Sequence, residues 1–408
     1  MTTVQAPDIY SPDAYVEGPP HEVFTELRHT DPVHWQEVPG EPGYWAVLRH
    51  ADVVEVAKHP LIYSAQSGGV IIENMPPAQL ENAKLMLLSM DPPRHTHYRR
   101  PVAPRFRSKV IAQMEGRIRA MVAEILDEAA EARTVEFVQE VTAKVPARVF
   151  GEIMGLPDDD LGHIHRLAEQ LTSSQDPEFA YEGPAEGEGN GASLEMAMYA
   201  INFANERRAM DDPPDDLTTF ILNSDFHGAP MDDISFGTFF VQMVTAGNDT
   251  TKTMLSAGLL TLLEHPDQLA ELRADPSRLP GAVEEVLRYD NPLHYFRRTA
   301  TEDTELSGTR IEAGQKVVMV YTSANRDETV FDRPQDFDIH RNPNPHLTFG
   351  IAEHFCLGAH LARLEARVFF EELLARFSAF EPAGPAVRVR SNLNNAYRAV
   401  PMTLTPRH

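Results

Sequence analysis

The chain has 408 residues, 42% hydrophobic and 24% charged, a globular composition rather than a disordered or fibrous one. A formal charge of -25 argues against nucleic acid or anionic membrane as a partner, and no run of about twenty apolar residues provides a membrane span. The single cysteine admits no intrachain disulfide, and the N-terminus MTTVQAPDIYSPDAYVEGPP lacks the basic and apolar regions of a signal peptide, so a cytoplasmic location is expected.

No Gly/Ser-rich linker divides the chain, so one domain over residues 1–408 is expected, mainly α with small β-sheets. Tyr44–Leu48 (YWAVL) reads as a strand. His95, Arg99, Arg100, Arg105, Arg107 and Lys109 then crowd one basic segment, either a site for an acidic partner or a solvated helix face. Residues 108–131 predict a helix with Ile111, Met114, Ile118, Met121, Ile125 and Leu126 on one face. Ala143–Met154 and Asp158–Leu171 predict two more, separated by Gly155-Leu156-Pro157. Residues 172–192 are acidic, rich in Gly and Pro and without periodicity, and predict a long exposed loop with few apolar anchors that acts as a mobile part of a substrate lid. Helical pattern returns over Ser193–Met210 and stops at Asp211-Asp212-Pro213-Pro214.

Asp232 or Asp233 is placed to cap the longest helix, which runs to Pro266. It is apolar on most sides, as expected of a helix through the protein centre, but its middle is polar. Pro280–Arg288 predicts a further helix in which Glu285 and Arg288 are i,i+3 neighbours. Lys316–Tyr321 (KVVMVY) and residues 386–405 predict short strands.

Cys356 stands in FGIAEHFCLGAHLARLEARVFF, just before a strongly periodic helix. Orphan amides at a helix start favour a thiolate, and Gly358 and Ala359 keep the first turn small enough for a large planar ligand. Three readings compete for such a cysteine: a small buried hydrophobe, a nucleophile with His354 as base, or an iron ligand.

The pattern Phe349-Gly350 through Gly358 resembles the cysteine loop of the cytochromes P-450, with Ala352 where that family usually has Gly. Glu285-x-x-Arg288 is similar to the family's Glu-x-x-Arg motif, with Arg341 as third member of a structural triad. Ala246-Gly247-Asn248-Asp249-Thr250 resembles its oxygen-activation motif, and DPPRHTHYRR (91–100) its segment after the first helices. The resemblance spans about residues 20–405 and implies a triangular helical prism with heme b (iron protoporphyrin IX) between the long central helix and the proximal helix. It implies Cys356 as metal ligand, Asp249 and Thr250 as catalytic proton managers, and Ala246, Gly247, Phe349, Gly350 and Gly358 beside the cofactor. Heme propionates would meet His95, Arg99, Arg298 and His354, because two carboxylates entering an apolar core need donors.

The implied reaction is insertion of one atom of O2 into a hydrophobic small molecule of steroid, terpenoid or lipid type. A tailoring hydroxylase or epoxidase of secondary metabolites or polyketides, and a non-catalytic heme-binding sensor, are the alternatives. Family layout puts Val70, Ile71, Met243, Ala246, Leu293 and Asn394 in the substrate pocket. Electrons would come from a ferredoxin and ferredoxin reductase, docked on Arg99–Lys109 with Arg363 and Arg367.

Overall fold

The computed structural model describes residues 8–181, 183, 191–226 and 228–407. Its frame is helical: α1 (Arg94–Val102), α2 (Glu115–Ala132), α3 (Lys144–Met154), α4 (Asp158–Thr172), α5 (Gly191–Arg208), α6 (Asp233–Glu264), α7 (Leu279–Tyr289) and α8 (Ala359–Arg376), with shorter helices between them. The 32-residue α6 is capped by the Asp232 carboxylate, which accepts the Ser235 N–H at 2.7 Å. Phe236, Phe239, Phe240, Leu255, Leu259 and Leu262 bury different sides of α6, so it is enclosed by α3, α4, α5, α7 and α8.

A mixed five-stranded sheet lies apart from this bundle, in the order Val33–Val38, Glu41–Val47, Lys316–Val320, Tyr295–Ala300, Tyr63–Ser64. The Lys316–Val320 strand is buried along its whole length, because it pairs on both edges and is packed on both faces. A three-stranded sheet joins Thr134–Glu136 and Phe377–Pro382 to Pro401–Pro406.

Two expectations need correction. The 108–131 helix is interrupted: a tight 3-10 turn at Ala112–Met114 separates Ser108–Ile111 from α2, while Ile111 and Ile118 both remain buried. The 172–192 segment is not free of anchors in its first part. Asp176 is buried, accepts the Arg390 N–H at 3.0 Å and pairs with Arg398 at 3.5 Å. The Gln175 side chain donates to Asn392 at 3.0 Å, and a 3-10 turn follows at Pro177–Phe179. Polar bonds to the C-terminal strands do here what apolar contacts do elsewhere. Residues 182 and 184–190 of the expected loop lie outside the described residues.

Candidate heme and oxygen site

Cys356 sits where an extended loop turns into α8. Its N–H donates to the Phe349 carbonyl at 2.8 Å, and the Gly350 N–H donates to Leu347 at 2.8 Å, which closes the loop into a fixed hairpin-like turn. Gly350 has φ +66°, and Ala352 has φ +58°. An alanine in the left-handed region costs about 1–2 kcal/mol. The position where the motif departs from glycine is therefore a strained one. Burial pushes the Cys356 thiol up, opposed by the Gly358 N–H at the sulfur and by the Arg99 and Arg363 charges.

A second group of side chains gathers beside this loop. The His95 and His354 rings lie 4.5 Å apart, and burial, with Arg99 and Arg298 nearby, lowers both imidazoles, His95 to about 4. Among the described residues, His95 Nδ1 and His354 Nε2 are buried without hydrogen-bond partners, and the nearest carboxylate to His95 is Glu353 at 3.8 Å. Arg298 is buried with one donor taken, by the Arg297 carbonyl at 2.8 Å. Arg99 donates to the Glu353 carbonyl at 3.2 Å and to the Phe355 carbonyl. Four cationic or donor groups thus converge with fewer acceptors than their burial demands.

The middle of α6 is the third component. Ala246 and Gly247 are exposed although the helix on either side of them is mostly buried. A Cβ on Gly247 would meet only Phe150, at 4.0 Å, so this face of α6 can border a large flat group. The Thr250 hydroxyl donates to the Ala246 carbonyl at 2.7 Å, which leaves its oxygen free to accept. Asp249 is buried and turned toward α4: the Thr172 hydroxyl donates to one carboxylate oxygen, and Lys252 Nζ lies 2.9 Å from the other.

Lys252 also meets Glu169 of α4 at 2.7 Å, and Glu169 accepts from Gln139 at 2.8 Å with His165 Nε2 at 3.5 Å. Burial pulls the Lys252 ammonium down, but Asp249 and Glu169 more than reverse it. Burial likewise raises Glu169, and His165 and Lys252 more than reverse that, leaving its carboxyl far below the usual range. Motif reading missed Lys252, Glu169, His165 and Thr172. The available signal was a lysine three residues after Asp249, in the polar middle of a helix that is apolar on most sides.

The Glu285 and Arg288 side chains are both fully buried and joined by two bonds of 2.7 and 2.8 Å. Arg341 Nε reaches both Glu285 oxygens at 3.1 Å. Arg288 also donates to the carbonyls of Asn325, Pro334 and Asp336, which ties α7 to the segment leading into the cysteine loop.

Of the residues expected in a substrate pocket, Leu293 and Asn394 face each other across an isolated antiparallel bridge. The Asn394 amide donates to the Thr172 carbonyl at 2.7 Å, so its side chain holds the end of α4. The Val70 carbonyl accepts the Arg297 N–H at 2.8 Å, with Ile71 partly buried next to it. Met243 and Ala246 lie three residues apart on α6.

Comparison with known proteins decides what this arrangement is. The family model described as Cytochrome P450 matches residues 13–394. The chain belongs to the cytochrome P450 family. It is 34% identical to a steroid C26-monooxygenase of Mycolicibacterium smegmatis, over 94% of this chain and 90% of that protein. It is 33% identical to the linalool 8-monooxygenase of Pseudomonas putida, over 99% of this chain and the whole of that one. Among solved structures, a Mycobacterium marinum cytochrome P450 in complex with pseudoionone superposes with a TM-score of 0.89 at 36% identity, covering 98% of each chain.

This P450 has the mainly helical fold of its family, uses heme as cofactor, and is a monooxygenase acting with O2 on hydrophobic small molecules. The donor set fits that cofactor. Unpartnered buried nitrogens of His95 and His354 and the spare donors of Arg298 suit two propionates, and Cys356 with the Gly358 N–H suits a metal-bound sulfur. No helix among the described residues is long and apolar enough to cross a membrane. The expected docking face needs revision. Arg363 is paired in a fork with Glu284 at 2.6 and 2.8 Å, and Arg367 is held by Glu115 at 2.6 Å and Glu371 at 2.9 Å. Proximal-helix arginines are thus neutralised within the fold, whereas Arg100, Arg107 and Lys109 carry no ion pair among the described residues.

Proposed function

We propose that Cys356 would ligate the heme iron, that His95, Arg99, Arg298 and His354 would receive the propionates, and that Ala246, Gly247, Phe349, Gly350 and Gly358 would border the cofactor. The observation that carries this reading is the convergence of unpartnered buried donors beside a cysteine whose sulfur already accepts the Gly358 N–H. When bound, the heme supplies reductive activation of O2, and a thiolate ligand favours O–O cleavage. The chain's own part is electrostatic and geometric. Burial pushes the Cys356 thiol up, and the Gly358 N–H and the Arg99 and Arg363 charges work against that rise. Thr250, anchored on the Ala246 carbonyl, presents its oxygen to the face of α6 that Gly247 opens. Asp249, one residue before it, holds and passes the protons that the reaction consumes.

The substrate is a steroid, terpenoid or lipid-like molecule. Support comes from the apolar character of Val70, Ile71, Met243, Ala246 and Leu293, and from relatives named for a steroid and for linalool. Asn394 bounds this pocket by holding α4 rather than by reading a polar group. The whole chain acts as one domain in the cytoplasm, reduced by a ferredoxin and its reductase. Arg100, Arg107 and Lys109 form the docking patch, with Arg105, which pairs with Asp215 at 3.5 Å, at its edge. Titrating the heme-loaded enzyme with steroids and with acyclic terpenoids, followed by the substrate-induced spin shift and product analysis, tests the substrate class. No shift with either class refutes it.

A further inference from the structure

A groove of about 670 Å³ opens on the surface between α2, α3 and α4, remote in sequence from every motif of the heme site. Among its lining residues is His165, which is only 8% exposed. Neither ring nitrogen of His165 has a hydrogen-bond partner among the described residues. Behind it stand three buried charges in a row: Glu169 at 3.5 Å from His165 Nε2, Lys252 at 2.7 Å from Glu169, and Asp249 at 2.9 Å from Lys252. Their exposures are 5, 3 and 4%.

Stability alone does not account for this row. A buried ion pair is commonly no better than well-packed hydrophobic side chains of the same volume. The row also has a direction, from a surface groove to the residue preceding Thr250. Resting on the assignment of Asp249 to proton supply, we propose that the groove is the proton inlet of the oxygen site, with His165 passing protons through Glu169 and Lys252 to Asp249.

One transfer balances as follows. A proton carried on His165 Nε2 moves to Glu169, across the 3.5 Å gap by a small ring rotation or one bridging water. Lys252 Nζ gives a proton to Asp249, and the protonated Glu169 restores the ammonium. One proton leaves solvent and one arrives on Asp249, and only N–H and O–H bonds change. Burial alone favours the neutral Lys252–Asp249 pair, but the Asp249 and Glu169 charges hold the ammonium more strongly, so this transfer is the uphill step of the relay.

The charges facing His165 are compatible with proton uptake. From α2 comes Glu124, from α3 Lys144, Arg148 and Glu152, and from α4 Asp158 and Glu169, with Lys252 and Asp249 behind them on α6. Two groove cations are already paired: Lys144 with Glu128 at 2.8 Å, Arg148 with Glu124 at 3.2 Å and Glu128 at 3.3 Å. A protonated His165 therefore meets Lys144 and Arg148 already compensated, and Arg166, whose guanidinium lies beside Gly162, is the groove cation without an ion pair among the described residues.

The test uses heme-loaded enzyme with a substrate and a ferredoxin system. His165→Phe is expected to slow the oxygen-dependent step about 10-fold and to enlarge its solvent isotope effect. Its rate of heme reduction and its ferrous carbon monoxide spectrum should match wild type. Gly162→Trp plugs the groove from a position where a Cβ meets only Arg166 at 3.7 Å, and should slow the same step even if His165→Phe folds poorly. Independently of turnover, nitrogen NMR of the ferrous carbon monoxide complex should show the His165 ring resonances moving in Lys252→Met, because Glu169 then faces His165 alone. Wild-type rates and isotope effects in both groove variants, or His165 ring resonances unaffected by Lys252→Met, overturn the inlet. A wild-type enzyme that makes no oxygenated product would instead overturn the function on which it rests.

Discussion

Arg288→Ala is the substitution whose consequence the structure specifies most fully. The guanidinium makes two bonds to Glu285 and one each to the carbonyls of Asn325, Pro334 and Asp336. Removing one partner of a buried ion pair costs about 3–5 kcal/mol. The lower end applies to the charge itself, because Glu285 keeps Arg341 at 3.1 Å, Asn344 at 3.1 Å and the Asp338 N–H at 2.9 Å. The Asp336 carbonyl keeps Arg341 at 3.0 Å, but those of Asn325 and Pro334 lose this donor, at about 1 kcal/mol each. The sum is about 5 kcal/mol, comparable with the whole stability of many domains. The loss falls on the segment that leads into the cysteine loop, so heme retention should fail with it. Arg288→Lys keeps the charge without the fork and should lose less. Urea unfolding and the ratio of heme absorbance to protein measure both effects. A heme-loaded Arg288→Ala protein within 1 kcal/mol of wild type would refute the reasoning, since about 5 kcal/mol is expected.

Thr250→Ala should separate electron consumption from product: nicotinamide oxidation and substrate binding persist while hydrogen peroxide replaces oxygenated product, measured by balancing all three. Ala352→Gly should raise stability by up to about 1 kcal/mol, because relief at φ +58° outweighs the added freedom of the unfolded chain; an unchanged or lower urea midpoint contradicts this. Glu365 is buried on α8, and burial raises its carboxyl to about 8 from an ordinary 4.5. Between those values the unfolded chain has lost a proton that the folded one keeps, so this group's contribution falls as pH rises from 4.5 to 8. Glu365→Gln should flatten that part of the stability-against-pH curve; equal slopes in the two proteins would contradict the assignment.

Much of the site was legible because its parts are local. The cysteine loop and the Ala246–Thr250 run were readable as short contiguous motifs through their resemblance to those of the cytochromes P-450, and the Glu285–Arg288 pair was readable from i,i+3 spacing on one helix. The Asp232 cap and the long apolar α6 were readable for the same reason. What composition could not show was where polar side chains find partners far along the chain. Asp176 looked like part of a mobile acidic loop until Arg390 and Arg398 came to it from the C-terminus. Arg363 and Arg367 looked like free docking charges until Glu284 and Glu115 neutralised them. Glu169 lies unmarked in the predicted helix Asp158–Leu171, yet it is buried against Lys252, 83 residues away.

The central claim, that Cys356 ligates the heme as a thiolate, rests on a single sulfur in a chain with no other cysteine. The most direct measurement is the Soret absorption of the ferrous carbon monoxide complex in wild type and in Cys356→Ser. The account predicts a thiolate-type band in wild type and its complete absence from a Cys356→Ser protein that still folds. A thiolate-type band persisting in Cys356→Ser, or missing from correctly folded, heme-loaded wild type, would contradict it.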